Sequence, residues 1–201
     1  MKSIITISRQ YGSGGRFIAK KLAEKLGIPY YDNELITLAA KNSGYSEAIF
    51  EKAEQLSTHS FLYSLSMFGS VDGIYGLPLS DKVFLAQSEV IKKVAEEGPC
   101  VIVGRCSDYV LKEYDNVINF FVYSDEAHKI ERAVKYYGVE ADKAVSVLKN
   151  KDKKRAAYYN YYSSQRWGDA ENYHLSLNSD AVGIDAAVDI LASFVTAHEN
   201  L

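Results

Sequence analysis

The stretch ISRQYGSGGRF, residues 7–17, decides the fold, because it joins a strand-like run to a helix-like one through three glycines and a serine. Before it, Ser3 to Ser8 (SIITIS) is a largely β-branched run of the kind that forms a central parallel strand covered on both faces. After it, from Gly15 to Leu26, Phe17, Ile18, Leu22, Ala23 and Leu26 recur at helical spacing. Lys20, Lys21, Glu24 and Lys25 fall on the other face, and Gly27 stops the pattern. A glycine turn running from a strand into a helix exposes backbone N–H donors at the helix N-terminus, beyond the carboxyl end of the strand, where a phosphate is held. Gly12, Ser13, Gly14 and Gly15 supply that turn.

The alternation continues along the chain. IPYYD (28–32) reads as a short strand, and DNELITLAA opens a second helix with Asp32 as its N-cap and Leu35, Ile36, Leu38 and Ala39 as its buried face. From about 44 to 80 the periodicity is weak, and glycines, serines and aromatics predict helical pieces joined by mobile loops. A long helix is expected from about Asp81 to Glu97. PCVIVG (99–104) and NVINFFVY (116–123) read as two more buried strands, with a helix over SDEAHKIERAVKYYG behind the second. Lys143 to Arg155 reads as a basic helix that YYNYYSSQRW carries into a loop. YHLSLN (173–178) makes a fifth strand, and Ile184 to His198 a closing amphipathic helix. Strands alternating with helices predict an α/β fold, a five-stranded parallel sheet with helices on both faces.

A chain of 201 residues with 47% hydrophobic and 24% charged residues is long enough for one sizeable core. Its net charge of -3 lacks the basic excess by which proteins hold nucleic acid, which argues against that partner. No apolar run approaches the roughly 20 residues that span a bilayer. Lys2 leads directly into the first strand rather than into a signal peptide, so no membrane partner and a cytoplasmic location are expected. Cys100 and Cys106 flank VIVG with no histidine at metal spacing, and read as buried thiols rather than a zinc site.

Two phosphate-loop patterns compete for the turn. The dinucleotide fingerprint G-x-G-x-x-G uses Gly12 and Gly14 but meets Phe17 at its third glycine, although Asp32 follows at a suggestive distance. The mononucleotide loop G-x-x-x-x-G-K-[ST] places its last glycine on Gly14 when Arg9 takes the first position, and fits the strand-to-helix spacing better.

ISRQYGSGGRFIAKKLAEKLGIPYYD resembles the opening of the cytidylate kinase-like family, a nucleoside monophosphate kinase branch of the P-loop NTPases. VIVGRCSDYVL and VINFFVYSDEAHKIERAV resemble that family's strand with a Gly-Arg-Asp motif and its next strand and Glu-Arg helix, and LKNKDKKRAAYYNYY stands where its lid carries an Arg-Asp-x-x-Arg cluster. The resemblance implies a P-loop NTPase-like three-layer sandwich in a single domain over 1–201, with a mobile acceptor-binding subregion about 44–80 and a helical lid about 140–167. It implies an ATP-dependent, Mg²⁺-assisted phosphotransferase acting on a small phosphorylated acceptor, CMP being the best single guess. A sulfate or phosphate is expected in the loop, and a monomer or homodimer in solution.

Carried over by motif, Gly12, Ser13, Gly14, Gly15, Arg16 and Phe17 would hold the nucleotide phosphates, and Arg16, Arg105 and Arg155 would be the catalytic cations, converging on one polyanion. Asp32, Asn33, Lys82, Arg105 and Asp108 would face the acceptor. Arg132, Lys151, Asp152 and Arg155 would form the lid, with Lys153 and Lys154 adding charge and Arg132 serving as a support or second lid contact. The departures from the pattern are specific. The loop lysine aligns with Gly15 and the Mg²⁺-binding hydroxyl with Arg16, leaving Arg16 to replace the charge and Ser13 or a water to serve the metal, whose ligand is unknown. The motif aspartate is Cys106, with Asp108 two residues on, and no arginine lies between Arg16 and Arg105, so Lys82 is the basic substitute there. These losses keep a second reading open, a nucleotide- or phosphate-binding sensor that kept the fold without turnover. Tyr158, Tyr159, Tyr161, Tyr162 and Trp167 form either a packed helix face or a platform for a base.

Overall fold

The structure, a computed structural model, describes residues 2–32, 35–37 and 78–200. Its centre is β1 (Ile4–Arg9), paired in parallel with β3 (Val101–Val103) on one edge and β4 (Val117–Tyr123) on the other. β2 (Tyr30–Tyr31) pairs with β3, and β5 (Leu175–Asn178) with β4, so the strand order is β2-β3-β1-β4-β5. All pairings are parallel, as the alternation of strands and helices predicts. The strands are shorter than the apolar runs suggest: flanking residues such as Pro99 and Cys100 are continuous in hydrophobicity but lie outside the ladder.

Two layers of helix cover the sheet. Ile5, Ile7 and Phe120 face α1 (Gly15–Leu26) and α7 (Ile184–Glu199), meeting Ile18, Leu22, Val188 and Leu191 in one core. The alternate residues Ile4, Ile102 and Val117 face α2 (Leu79–Glu96), meeting Ala86, Val90 and Ile91 in the other. Residues 35–37 are helical; Asp32 caps them, its Oδ1 accepting from the Leu35 amide at 3.2 Å. Ile36 is buried as expected, whereas Leu35 is 44% exposed, because consecutive helical residues point about 100° apart. Leu38, Ala39 and most of the 44–80 segment lie outside the described residues.

β3 leads into the short helix α3 (Ser107–Val110), and β4 into α4 (Glu126–Tyr137). Next, α5 (Ala144–Ser163) is one continuous helix through the tyrosine run, ending where Ser164 adopts a left-handed conformation. The tyrosine run carries the helix on past Arg155 before the loop begins, as expected, and its rings pack. Tyr162 stacks on Phe84 of α2 with ring centroids 3.9 Å apart, Tyr158 meets the same ring edge-on, and the Tyr162 hydroxyl donates to Asp81 at 3.1 Å. α6 (Ser179–Val182) follows β5.

The glycine turn is held from behind. Arg132 of α4 donates to the Gly12 carbonyl at 3.1 Å and to the Ser124 hydroxyl at 2.9 Å, and pairs with Asp180 of α6. The neighbouring Ser179 hydroxyl donates to the Ser13 carbonyl at 2.7 Å. Asp180 also accepts from the Ser124 hydroxyl and from the Asp125 amide. Burial pulls its pKa upward, but the bonds from Ser124, Arg132 and the Asp125 amide outweigh that and hold the carboxyl below the usual carboxylate range.

A carboxyl with a depressed folded pKa contributes stability that is complete above its ordinary value and is lost as the pH falls through the folded value. Asp180→Asn should therefore cost about 1–3 kcal/mol at neutral pH and leave a shallower loss of stability below about pH 4, checked by thermal melting across pH. Phe120 is fully buried and meets Phe194 of α7 edge-on at 5.4 Å. Phe120→Ala should cost about 3–5 kcal/mol in denaturant titration, as large-to-small changes in packed cores do.

Candidate active site

The site begins with strand register. Ile7 of β1 pairs with Val103 of β3, and the Gly104 amide donates to the Ile7 carbonyl at 3.1 Å. Arg9 and Arg105 each stand two residues beyond that pair, so their side chains leave the sheet from adjacent strand ends. The chain then reverses sharply, with positive φ at Gly104, Arg105 and Cys106 (77°, 57° and 54°). For the two non-glycines this left-handed geometry costs roughly 1–2 kcal/mol each, strain of the sort that gathers at functional turns.

Two adjoining cavities lie over these ends. The first, about 310 Å³, sits on the glycine turn and is bounded by Gly12, Gly14, Gly15, Arg16, Asp32 and Tyr137. The second, about 300 Å³, lies over the β3 end, bounded by Gly104, Arg105, Cys106, Tyr158, Tyr159 and Trp167. Arg9, Lys151 and Arg155 line both. With Lys154 in the second cavity, six basic side chains surround the pair, while Asp32 is the one carboxylate among the lining residues.

The turn's carbonyls at Gly12 and Ser13 are engaged at its back, and among the described residues no acceptor meets the amides of Gly12 and Gly14. These donors fit phosphate oxygens. Gly12 must be glycine: its φ is +78°, and a Cβ there would lie 2.6 Å from the Lys129 carbonyl oxygen. Opposite the turn, Asp152 of α5 accepts from the Tyr11 amide at 2.6 Å and Arg155 donates to the Arg9 carbonyl at 3.0 Å, which fastens α5 against the turn. Arg155 also lies over the Tyr11 ring, 5.5 Å from its centroid. Burial lowers the Arg155 pKa and raises that of Asp152.

The residues expected to act together divide between the cavities. Arg16 and Arg155 line the first, Arg105 and Arg155 the second. Arg16 does not stand alone over the turn, since it pairs with Asp32 at 2.6 Å; this also draws Asp32 into the first cavity rather than the second. Ser13 is fully buried with its hydroxyl turned towards the Gly15 amide, so it does not offer a metal ligand to the cavity. The Phe17 side chain packs on Tyr136 along the outer face of α1, away from the cavity.

Asp108 is buried beneath the second cavity, near the Tyr159 hydroxyl. Among the described residues its Oδ2 has no hydrogen-bond partner, and burial raises its pKa. The short α3 turns it inward, where it cannot face an acceptor directly. Lys82, on the first turn of α2, lines neither cavity, and Arg132 buttresses the turn instead of joining Lys151, Asp152 and Arg155. Asn33 lies outside the described residues.

Arg9 is the residue that sequence reasoning passed over. A basic side chain closing an otherwise apolar central strand was the available signal, since such a residue emerges at the carboxyl edge. Tyr137 completes the wall of the first cavity in the same way, from a helix whose position depends on packing, and Lys154, expected to add charge, lines the second.

A polyphosphate fits the first cavity, whose lining is rich in N–H donors. For Mg²⁺, Asp32 is the carboxylate that lining offers, beside Arg16. A second group of possible ligands, Asp125, His128 and Asp180, lies behind the turn, where Asp180 already serves Arg132 and Ser124.

A crystal structure of an uncharacterized protein from Eubacterium ventriosum is 29% identical, with a TM-score of 0.75 over 97% of this chain and 99% of that one. Shikimate kinase from Bacteroides thetaiotaomicron shares the fold at 14% identity and a TM-score of 0.59, over 98% of this chain and 99% of its own. A gluconokinase from Sinorhizobium meliloti does so at 13% identity and 0.52, over 98% and 97%. No curated protein matches the sequence. The model of the cytidylate kinase-like family matches residues 4–181, and with its parallel sheet, glycine turn and Gly104–Arg105 strand end the chain belongs to that family.

Proposed function

We propose that the protein transfers the γ-phosphoryl group of ATP to a small phosphorylated acceptor, a nucleoside monophosphate with CMP the best single candidate. The observation that carries this reading is the pair of adjoining cavities with Arg9, Lys151 and Arg155 lining both. Phosphoryl transfer asks little covalent chemistry of a protein; it asks that two anions be held in line and that charge developing between them be neutralised. In this reading the amides of Gly12 and Gly14 hold donor phosphates in the first cavity. Arg105 holds the acceptor's phosphate in the second, while Tyr158 and Trp167 flank its uncharged part. Lys151 and Arg155, on the wall between, face the group in transit. Bound Mg²⁺ would neutralise donor phosphate charge, with Asp32 its protein anchor. Family membership and the kinase folds of the structural relatives support this reading.

A second reading, a nucleotide sensor without turnover, has one specific observation in its favour. Gly15 and Arg16 stand where a working loop carries lysine and a hydroxyl, and Arg16 is engaged with Asp32. Among the described residues no helix is long and apolar enough to cross a membrane, and both readings concern nucleotide in aqueous solution.

ADP release in a coupled assay with ATP, Mg²⁺ and a panel of monophosphates separates the two. Steady turnover on one or more acceptors is expected, and nucleotide binding without turnover would favour the sensor. Arg105→Ala should raise the acceptor KM by about tenfold to a hundredfold, the loss of one charge-assisted contact, while changing the ATP KM much less. An equal change in both constants would remove Arg105 from the acceptor side.

A further inference from the structure

Arg9 occupies a channel that two glycines leave open. At its stem, a Cβ on Gly15 would lie 2.6 Å from Arg9 Cβ and 3.1 Å from Cγ. At its tip, a Cβ on Gly104 would overlap Arg9 Nη1. Gly15 and Gly104 lie 89 positions apart in the chain, on different elements, yet the missing side chain of each makes room for the same residue. Gly15 stands at the position where a P-loop carries its lysine, so a lysine there and an arginine at position 9 exclude one another.

The charge at Arg9 is only partly compensated, by the more weakly acting Tyr30 and Asp32. Among the described residues no carboxylate pairs with its guanidinium, and its nearest charged neighbours include Arg155 and Arg105. Burial first, and then these two cations, lower its pKa to about 9. Arg16 differs, being paired with Asp32 at 2.6 Å and 45% exposed along its side chain. A half-buried cation whose strongest charged neighbours are cations is costly unless an anion joins it. Arg9 lines both cavities, and its backbone carbonyl is held by Arg155, so the stem is anchored from two sides.

We infer that Arg9, threaded between Gly15 and Gly104, is the fixed cation that replaces the missing loop lysine and contacts the phosphates of donor and acceptor together. This inference rests on reading the paired cavities as donor and acceptor sites. It assigns to Arg9 the role that the motif alignment gives to Arg16, and it explains why the loop lysine is a glycine here: the cation enters from the strand end below the turn instead of from the helix above it.

The test uses the full-length protein, with calorimetric binding of ATP and of inorganic tripolyphosphate and thermal melting measured on the same samples. Arg9→Met should weaken both ligands by at least about tenfold, the loss of a charge-assisted contact, yet melt at the same or a higher temperature, because it removes a half-buried, poorly compensated charge. Arg16→Met should weaken tripolyphosphate clearly less. Gly15→Ala, which drives a methyl into the Arg9 stem, should reproduce the binding loss of Arg9→Met. If Arg9→Met binds tripolyphosphate like the parent, or loses binding only together with a fall in melting temperature, Arg9 is not the replacement cation. If Arg16→Met shows the larger loss, the role returns to Arg16. A parent protein that binds neither ATP nor tripolyphosphate would overturn the donor-site reading itself, and this inference with it.

Discussion

β1 has no free edge and no free face. Strands pair with it on both sides, and Ile4, Ile5 and Ile7 are buried against helices above and below the sheet. Polar chemistry can therefore leave this strand only at its carboxyl end, and the same holds for β3 beside it. The parallel register brings both ends to the same level, so that Arg9, the glycine turn and Arg105 form one surface. Had β3 been antiparallel to β1, Gly104 and Arg105 would have emerged at the opposite edge of the sheet.

Two arginines side by side at such an edge repel each other, and the surrounding architecture keeps them there with no carboxylate among the described residues between them. The nearest acids are committed elsewhere: Asp32 to Arg16, Asp152 to the Tyr11 amide, Asp180 to Arg132. The turn is treated similarly. Arg132 and Ser179 take up its carbonyls from behind, leaving N–H groups towards the cavity. Positive charge and unpaired donors thus accumulate on one side, and their counterparts are satisfied on the other. A surface of this type is preorganised for the proposed anion, since its donors would need no rearrangement when charge arrives.

The third wall is α5, which joins the cavities into one cleft. It is anchored at both ends of its contact: Asp152 and Arg155 on the turn, and Tyr158 and Tyr162 around Phe84 of α2. The tyrosine run therefore serves largely as packing, while Tyr158 and Tyr159 also present part of their surface to the second cavity. Arg105 lies 5.9 Å from the centre of the Tyr158 ring and donates weakly to Thr37, which steadies a guanidinium that no acid among the described residues holds.

Much of this was legible in the sequence because it is local. The alternation of apolar strand runs with amphipathic helices determined the α/β class and the parallel sheet. The glycines after β1 marked the turn under the first cavity, Gly104–Arg105 marked the strand end under the second, and Asp152 and Arg155 marked the helix that is fastened to the turn. Each signal depends on neighbours within a few residues, where backbone preference and periodicity act. What the sequence could not contain was which long side chain enters which space. Gly15 read as a lost lysine, and only the folded arrangement shows that its missing Cβ is filled by the stem of Arg9 and that Gly104 admits the tip. Arg16 read as the cation that replaces the lysine charge, and only the fold shows that Asp32 pairs with it. Asp108 read as an acceptor-side residue and is buried on α3, while Arg132 read as a support or a second lid contact and Asp180 of α6 fixes it as the support behind the turn. Those outcomes are decided by steric exclusion and charge pairing between segments far apart in the chain, and such contacts exist only once the sheet has set its register.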